Sequence, residues 1–131
     1  HHHHRAVSEV ALNASVNAGN ASLVSQLPAS TGVPITLYHQ PVPPAPFVPD
    51  LYADISSTFE RKIAALRCHE SQHPFLAGHH GTDFIDLVTT ATRLHGAACR
   101  VQYAEAYGLC RRFNRMSTIQ TLAPFFPRAE G

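Results

Sequence analysis

The sequence predicts a mixed α/β domain with few strands. Three observations carry that expectation. Apolar residues recur at helical spacing in three separate stretches. Two short extended runs, Ile35-Thr36-Leu37-Tyr38-His39 and Tyr52-Ala53-Asp54-Ile55, lie between the first and second of them. Apolar residues make up 44% of 131 residues, enough for one domain with a buried core. Two or three short strands and three helices do not close a core by themselves, which points to part of a larger fold.

The first helix is expected over residues 5–18. Val7, Val10, Ala11, Ala14 and Ala18 share a face there, and Gly19-Asn20 supplies the stop. Residues 21–34 are expected as a loop punctuated by Pro28, Gly32 and Pro34. After the first extended run, residues 41–49 carry five prolines and read as a stiff polyproline-like connector, because proline has no N–H to give a ladder. Ser57-x-x-Glu60 has the form of a capping box, followed by a helix with Phe59, Ile63 and Leu66 on one face. Residues 72–81 read as loop. Asp83 is placed to cap a longer helix through Phe84, Leu87, Val88, Ala91, Leu94 and Ala98. Tyr103–Tyr107 reads as a strand or a turn leading out, and Arg111, Arg112 and Arg115 as a solvated charged edge.

Composition narrows the function. Ten Lys+Arg against nine Asp+Glu give a net charge of +1, which argues against an electrostatic nucleic-acid binder or a polybasic membrane surface. No apolar run approaches the ~20 residues of a membrane-spanning helix. No basic segment followed by an apolar run opens the chain, so a cytoplasmic location is expected, and the Asn13 and Asn20 sequons read as chance. Cys68, Cys99 and Cys110 are odd in number and form no C-x-x-C pair, which indicates neither a disulfide framework nor a zinc ribbon.

Histidine dominates the candidate chemistry. His1 and His4 stand three apart and could face one ion, although His1–His4 also has the form of a purification tag or its remnant. His79-His80 lie in a Gly-flanked stretch; loop histidines can bind metal, but this one reads as an exposed polar loop in preference. Cys68 and His69 are adjacent on a helix and so diverge. His95 lies late on the third helix, where it suits the negative end of the helix dipole. No glycine-rich phosphate loop, G-x-S-x-G, H-E-x-x-H or paired carboxylate motif occurs.

Four segments, taken together and in order, carry a family likeness. They are His4-Arg5-Ala6-Val7 opening a helix that ends Ala18-Gly19-Asn20, then Tyr52-Ala53-Asp54-Ile55-Ser56, then the stretch from Glu60 to Gln72 (ERKIAALRCHESQ), and Tyr103-Ala104-Glu105-Ala106-Tyr107. This order resembles the C-terminal half of the PIG-L (LmbE-like) zinc-dependent de-N-acetylases. Their pattern runs H-P-D-H-R-A-V, then a (V/A)-D-I-(S/T) strand, then K-(I/L)-x-A-L-x-x-H-x-S-Q, then Y-A-E-x-F.

The resemblance implies a Rossmann-like three-layer α/β fold with a mostly parallel sheet, incomplete in this chain. The whole of 1–131 would be the C-terminal portion of one domain, with residues 1–3 tag-derived or native. It implies a hydrolase that removes an N-acetyl group from an acetylglucosaminyl-type small molecule with zinc-activated water. His4 matches the third zinc ligand of the family and His1 the histidine that stabilises the oxyanion. His2 and His3 depart from the family's Pro-Asp. No A-H-P-D-D occurs, so two metal ligands and the general base are missing. Catalytic zinc needs about three protein ligands plus an open position for water. The chain alone is therefore expected to be inactive, as a fragment completed by an N-terminal half or a homo-oligomeric partner. The alternatives are a non-catalytic family member acting as a partner subunit or binding module, and a histidine-rich metal binder without catalysis. Asp54 and Glu105 are each readable as a substrate-hydroxyl partner or as a structural hydrogen-bonding group. Lys62 reads as helix packing or as a substrate contact.

Overall fold

The computed structural model describes residues 2–23, 26–32, 34–41 and 46–111. His1, positions 42–45 of the proline-rich connector, Arg112 and Arg115 lie outside the described residues. The elements are α1 (His2–Asn17), β1 (Leu37–His39), β2 (Leu51–Asp54), α2 (Phe59–Arg67), α3 (Gln72–His80), α4 (Phe84–Cys99) and β3 (Ala104–Leu109). They fall into two units, residues 1–36 and 37–131.

In the first unit, α1 starts three residues earlier than the apolar spacing suggested. The face expected to turn inward is the exposed one, with Val7 and Val10 each 67% exposed. The covered stripe is Ser8, Leu12, Ser15 and Val16, centred on the buried Leu12. Ser15 returns its hydroxyl to the Leu12 carbonyl at 2.7 Å, so the polar groups of this stripe are partly satisfied by the helix itself.

The second unit is mixed α/β, built on a three-stranded sheet of order β1-β3-β2. Both pairings are antiparallel, with His39 opposite Tyr107 on one side of β3 and Ala53 opposite Glu105 on the other. The mostly parallel sheet expected from the family likeness is not what these strands form. Tyr103–Tyr107 does not lead out of the fold. β3 is its central strand, because Ala104, Ala106 and Gly108 recur every second residue and let neighbours approach closely. α4 lies against β3 and β2, and α2 and α3 each touch α4.

α2 buries the face expected of it. Phe59 and Ile63 join Tyr103 in a core cluster, bordered by Ile55, Leu66 and Ile85. The Phe59 and Tyr103 rings stack at 3.6 Å with planes 3° apart. The capping box does not form: Thr58 is the N-cap, and its hydroxyl donates to the Ile55 carbonyl instead.

α3 occupies the stretch expected as loop. Pro74 sits in its first turn, where a missing N–H costs nothing, and Gly81 closes it at φ 62°. Residues that punctuate a helix at both ends thus read as loop signals when taken alone. Asp83 caps α4 as expected, accepting from the Ile85 N–H at 2.7 Å. At the far end the chain reverses over Gly96, where a Cβ would come within 2.6 Å of the Val101 carbonyl oxygen. Arg100 takes the left-handed conformation there, at φ 63°.

Candidate functional site

Antiparallel pairing places side chains two residues apart on one face of a strand. Glu105 and Tyr107 are such a pair on β3, and His39 stands opposite Tyr107 on β1. The His39 and Tyr107 rings meet edge to face at 5.2 Å. From α2, Lys62 reaches across and donates to Glu105 Oε1 at 2.6 Å. Tyr107 donates its hydroxyl to Glu105 Oε2, also at 2.6 Å. His39 Nε2 lies 3.8 Å from Oε1, an ion-pair separation longer than a hydrogen bond. Three side chains, one each from β1, α2 and β3, thus converge on the Glu105 carboxylate.

The electrostatics follow from that convergence. His39, the Lys62 ammonium and the Tyr107 hydroxyl hold the Glu105 carboxyl far below the usual carboxylate range, against the opposing effect of burial. Burial and the bond to Glu105 push the Tyr107 hydroxyl well above the usual phenol range. At neutral pH the carboxylate is charged and the phenol is neutral. Glu105 is then a fixed acceptor rather than a proton-abstracting base, and Tyr107 is a donor rather than a nucleophile.

Beside this cluster a small pocket of about 50 Å³ opens between α4 and the sheet. Its apolar wall includes Val88, Ala91 and Ala106, and its polar boundary His39, Gln40, Lys62, His95 and Glu105. Thr92 also lines it, but its hydroxyl is spent on the Val88 and Thr89 carbonyls at 3.0 and 3.1 Å. His95 lies 6.0 Å from the Tyr52 ring, centroid to centroid. Burial lowers the His95 pKa, opposed by a backbone hydrogen bond to Ala104, so the ring favours its neutral form. Gln40 continues β1, donating its backbone N–H to the Ala106 carbonyl at 3.0 Å. Its Oε1 is buried with no hydrogen-bond partner.

The residues singled out in the sequence separate clearly. Glu105 and Lys62 are brought together at the pocket. Asp54 is not: its carboxylate accepts from the Ser56 N–H and hydroxyl at 2.9 and 2.6 Å, and those bonds lower its pKa. That is a local turn brace. His79 and His80 lie on α3 rather than in a loop, with the His79 ring 4.5 Å from Phe75. Arg111 pairs with Asp50, which also accepts from the Leu109 N–H at 2.8 Å. Cys68, Cys99 and Cys110 are free thiols. His4 is exposed on α1, in the other unit from the Glu105 cluster, and His1 lies outside the described residues. Among the described residues no group of three or more His, Cys, Asp or Glu could hold a metal ion. No helix of the described residues is long and apolar enough to cross a membrane.

Sequence reasoning missed His39, Gln40 and Tyr107 and assigned His95 only to a helix end. The available signal was the Glu105-x-Tyr107 alternation, which presents two polar groups to one face once the segment is read as a strand. Comparison with protein-family models, with curated proteins and with solved structures finds no match.

Proposed function

We propose that this chain is the C-terminal portion of a PIG-L/LmbE-like zinc-dependent de-N-acetylase, acting on an N-acetylated amino-sugar substrate in the cytoplasm. The observation that supports the reading is convergence. Three of the four segments that carry the family likeness fold against one another: β2 pairs with β3, and α2 is tied to β3 through Lys62 and Glu105. In this reading the Rossmann-like layer with parallel strands belongs to the N-terminal half of the domain, which is not in this sequence. Glu105, held ionised and oriented, accepts hydrogen bonds from substrate hydroxyls.

The described residues do not by themselves make a catalytic zinc site, since no three donors gather. In the proposal His4 is one ligand, the others come from an A-H-P-D-D stretch on another part of the protein, and His1 stabilises the oxyanion. The alternative reading is a non-catalytic family member that serves as a partner subunit or binding module.

The two readings part on one experiment. The reading frame preceding His4 is sequenced, and the longer chain it encodes is assayed for acetate release from an N-acetylglucosaminyl substrate, with and without His4→Ala. The deacetylase reading expects an A-H-P-D-D about 100 residues upstream, a spacing that the family likeness implies, and turnover lost in the variant. A frame without that motif, or turnover indifferent to His4, overturns it.

A further inference from the structure

We infer that the pocket between α4 and the sheet binds a small neutral group that carries a hydrogen-bond donor beside a methyl-sized apolar end, a primary or secondary amide being the best chemical fit. The inference deepens the deacetylase reading, whose substrate carries such an amide, but it is argued from residues of the second unit alone, and neither metal nor hydrolysis enters it.

Three features of the pocket specify the ligand. Its size comes first. About 50 Å³ is several times the ~10–15 Å³ that a single water needs, and enough for a group of a few heavy atoms. The second is an acceptor in want of a donor. Gln40 Oε1 is buried and unpartnered, whereas buried polar atoms in native proteins are nearly always paired. An N–H or O–H from a ligand satisfies it. The Lys62 ammonium has three hydrogens and gives one to Glu105, so it can also meet a carbonyl oxygen. The apolar wall of Val88, Ala91 and Ala106 leaves the rest of the ligand no polar partner.

The third feature is charge. Glu105 and Lys62 both line the pocket and neutralise each other at 2.6 Å. An anionic ligand meets the Glu105 carboxylate, and a cationic one meets Lys62. Burial of a charge without its own counter-ion is costly, whereas a neutral amide brings a donor, an acceptor and a methyl group with no charge to desolvate. The titratable and charged groups that face the space are His39, Lys62, His95 and Glu105, and none of them remains as an uncompensated carboxylate or ammonium.

Three probes of one shape test this: acetamide, acetate and acetamidinium, which are neutral, negative and positive. Each is titrated into the full chain at pH 7 and followed by amide NMR shifts at Gln40, Ala91, His95 and Ala106. The expected result is saturable shifts with acetamide, half-complete at roughly millimolar concentration, and at least tenfold weaker binding of acetate and acetamidinium. In Gln40→Leu the acetamide response weakens about tenfold, the scale of one lost hydrogen bond. Equal binding of all three probes, or no saturable shift with acetamide, overturns the inference. So does an acetamide titration unchanged in a folded Gln40→Leu chain. If that variant fails to fold, the charge series on the unaltered chain still decides. The result is independent of zinc and turnover, so it stands or falls apart from the deacetylase reading.

Discussion

The Lys62 ammonium lies 2.6 Å from Glu105 Oε1 and ties the middle of α2 to the central strand of the sheet. Both side chains are largely covered, with 24% and 19% of their surface exposed. Such a pair lies between a surface ion pair, which contributes little, and a buried one, whose disruption leaves an uncompensated charge. Glu105→Gln leaves Lys62 half-buried without a counter-ion and is expected to destabilise the chain by about 1–3 kcal/mol. Lys62→Met, which removes the charge that needs a partner and leaves Glu105 with Tyr107, is expected to cost less. Urea denaturation of the two variants and of the double variant checks both the order and the coupling.

The same carboxylate makes stability depend on acid. Glu105 in an unfolded chain titrates near the ordinary 4.5, and its folded value lies lower. Between those values the unfolded state binds more protons, so stability is complete above about pH 4.5 and is lost as pH falls through the folded value. His95 adds an earlier loss. Its folded pKa lies below the ordinary 6.5, so on acidification the unfolded chain takes up the proton first, and stability declines from about pH 6.5 downward. Thermal midpoints measured from pH 8 to 3 are expected to fall in two stages. Glu105→Gln flattens the lower stage and His95→Gln the upper.

Two glycines on neighbouring helices are expected to respond oppositely to alanine. At Gly96 a Cβ meets the backbone oxygens of Val101 and Gln102 at 2.6 and 2.7 Å, which only movement of the chain reversal can relieve. Gly96→Ala is expected to destabilise by about 2 kcal/mol or more, in spite of the gain in helix propensity. At Gly78, inside α3, nothing lies within 4 Å of the added carbon. Gly78→Ala is expected to stabilise by about 0.5–1 kcal/mol. Paired denaturation curves give both signs in one experiment.

Arg100 closes α4 in the left-handed conformation, at φ 63°, where a side chain is unfavourable and glycine is not. Arg100→Gly is expected to raise stability by about 1 kcal/mol, read as a higher denaturation midpoint with an unchanged slope.

The parts of this fold that were legible in the sequence are those set by near neighbours. Asp83 capping α4 depends on a residue two positions away, and the Phe59-Ile63-Leu66 face of α2 on spacing alone. α3 was hidden because Pro74 and Gly81 break chains as readily as they bound helices. The inward face of α1 was hidden because the strongest apolar spacing, through Val7 and Val10, is the exposed one, and the single Leu12 determines the buried stripe. β3 lacks the β-branched residues that announce a strand, since its inward positions are Ala104, Ala106 and Gly108. The pocket was illegible for a different reason. His39, Lys62, His95 and Glu105 are far apart in sequence, and only the β1-β3-β2 order and the packing of α2 and α4 bring them together. Of the residues weighed in the sequence, Glu105 and Lys62 meet in one cluster, and His4 lies in the other unit.

The central claim, that this chain is one portion of a zinc deacetylase, is tested most directly by zinc stoichiometry. Calorimetric titration is made on the present chain with His1, His2 and His3 replaced by alanine and His4 kept, and on the longer chain encoded from upstream. The account predicts weak, substoichiometric binding by the first and one tight zinc per molecule by the second, lost on His4→Ala. Tight one-to-one binding by the first, or none by the second, would contradict it.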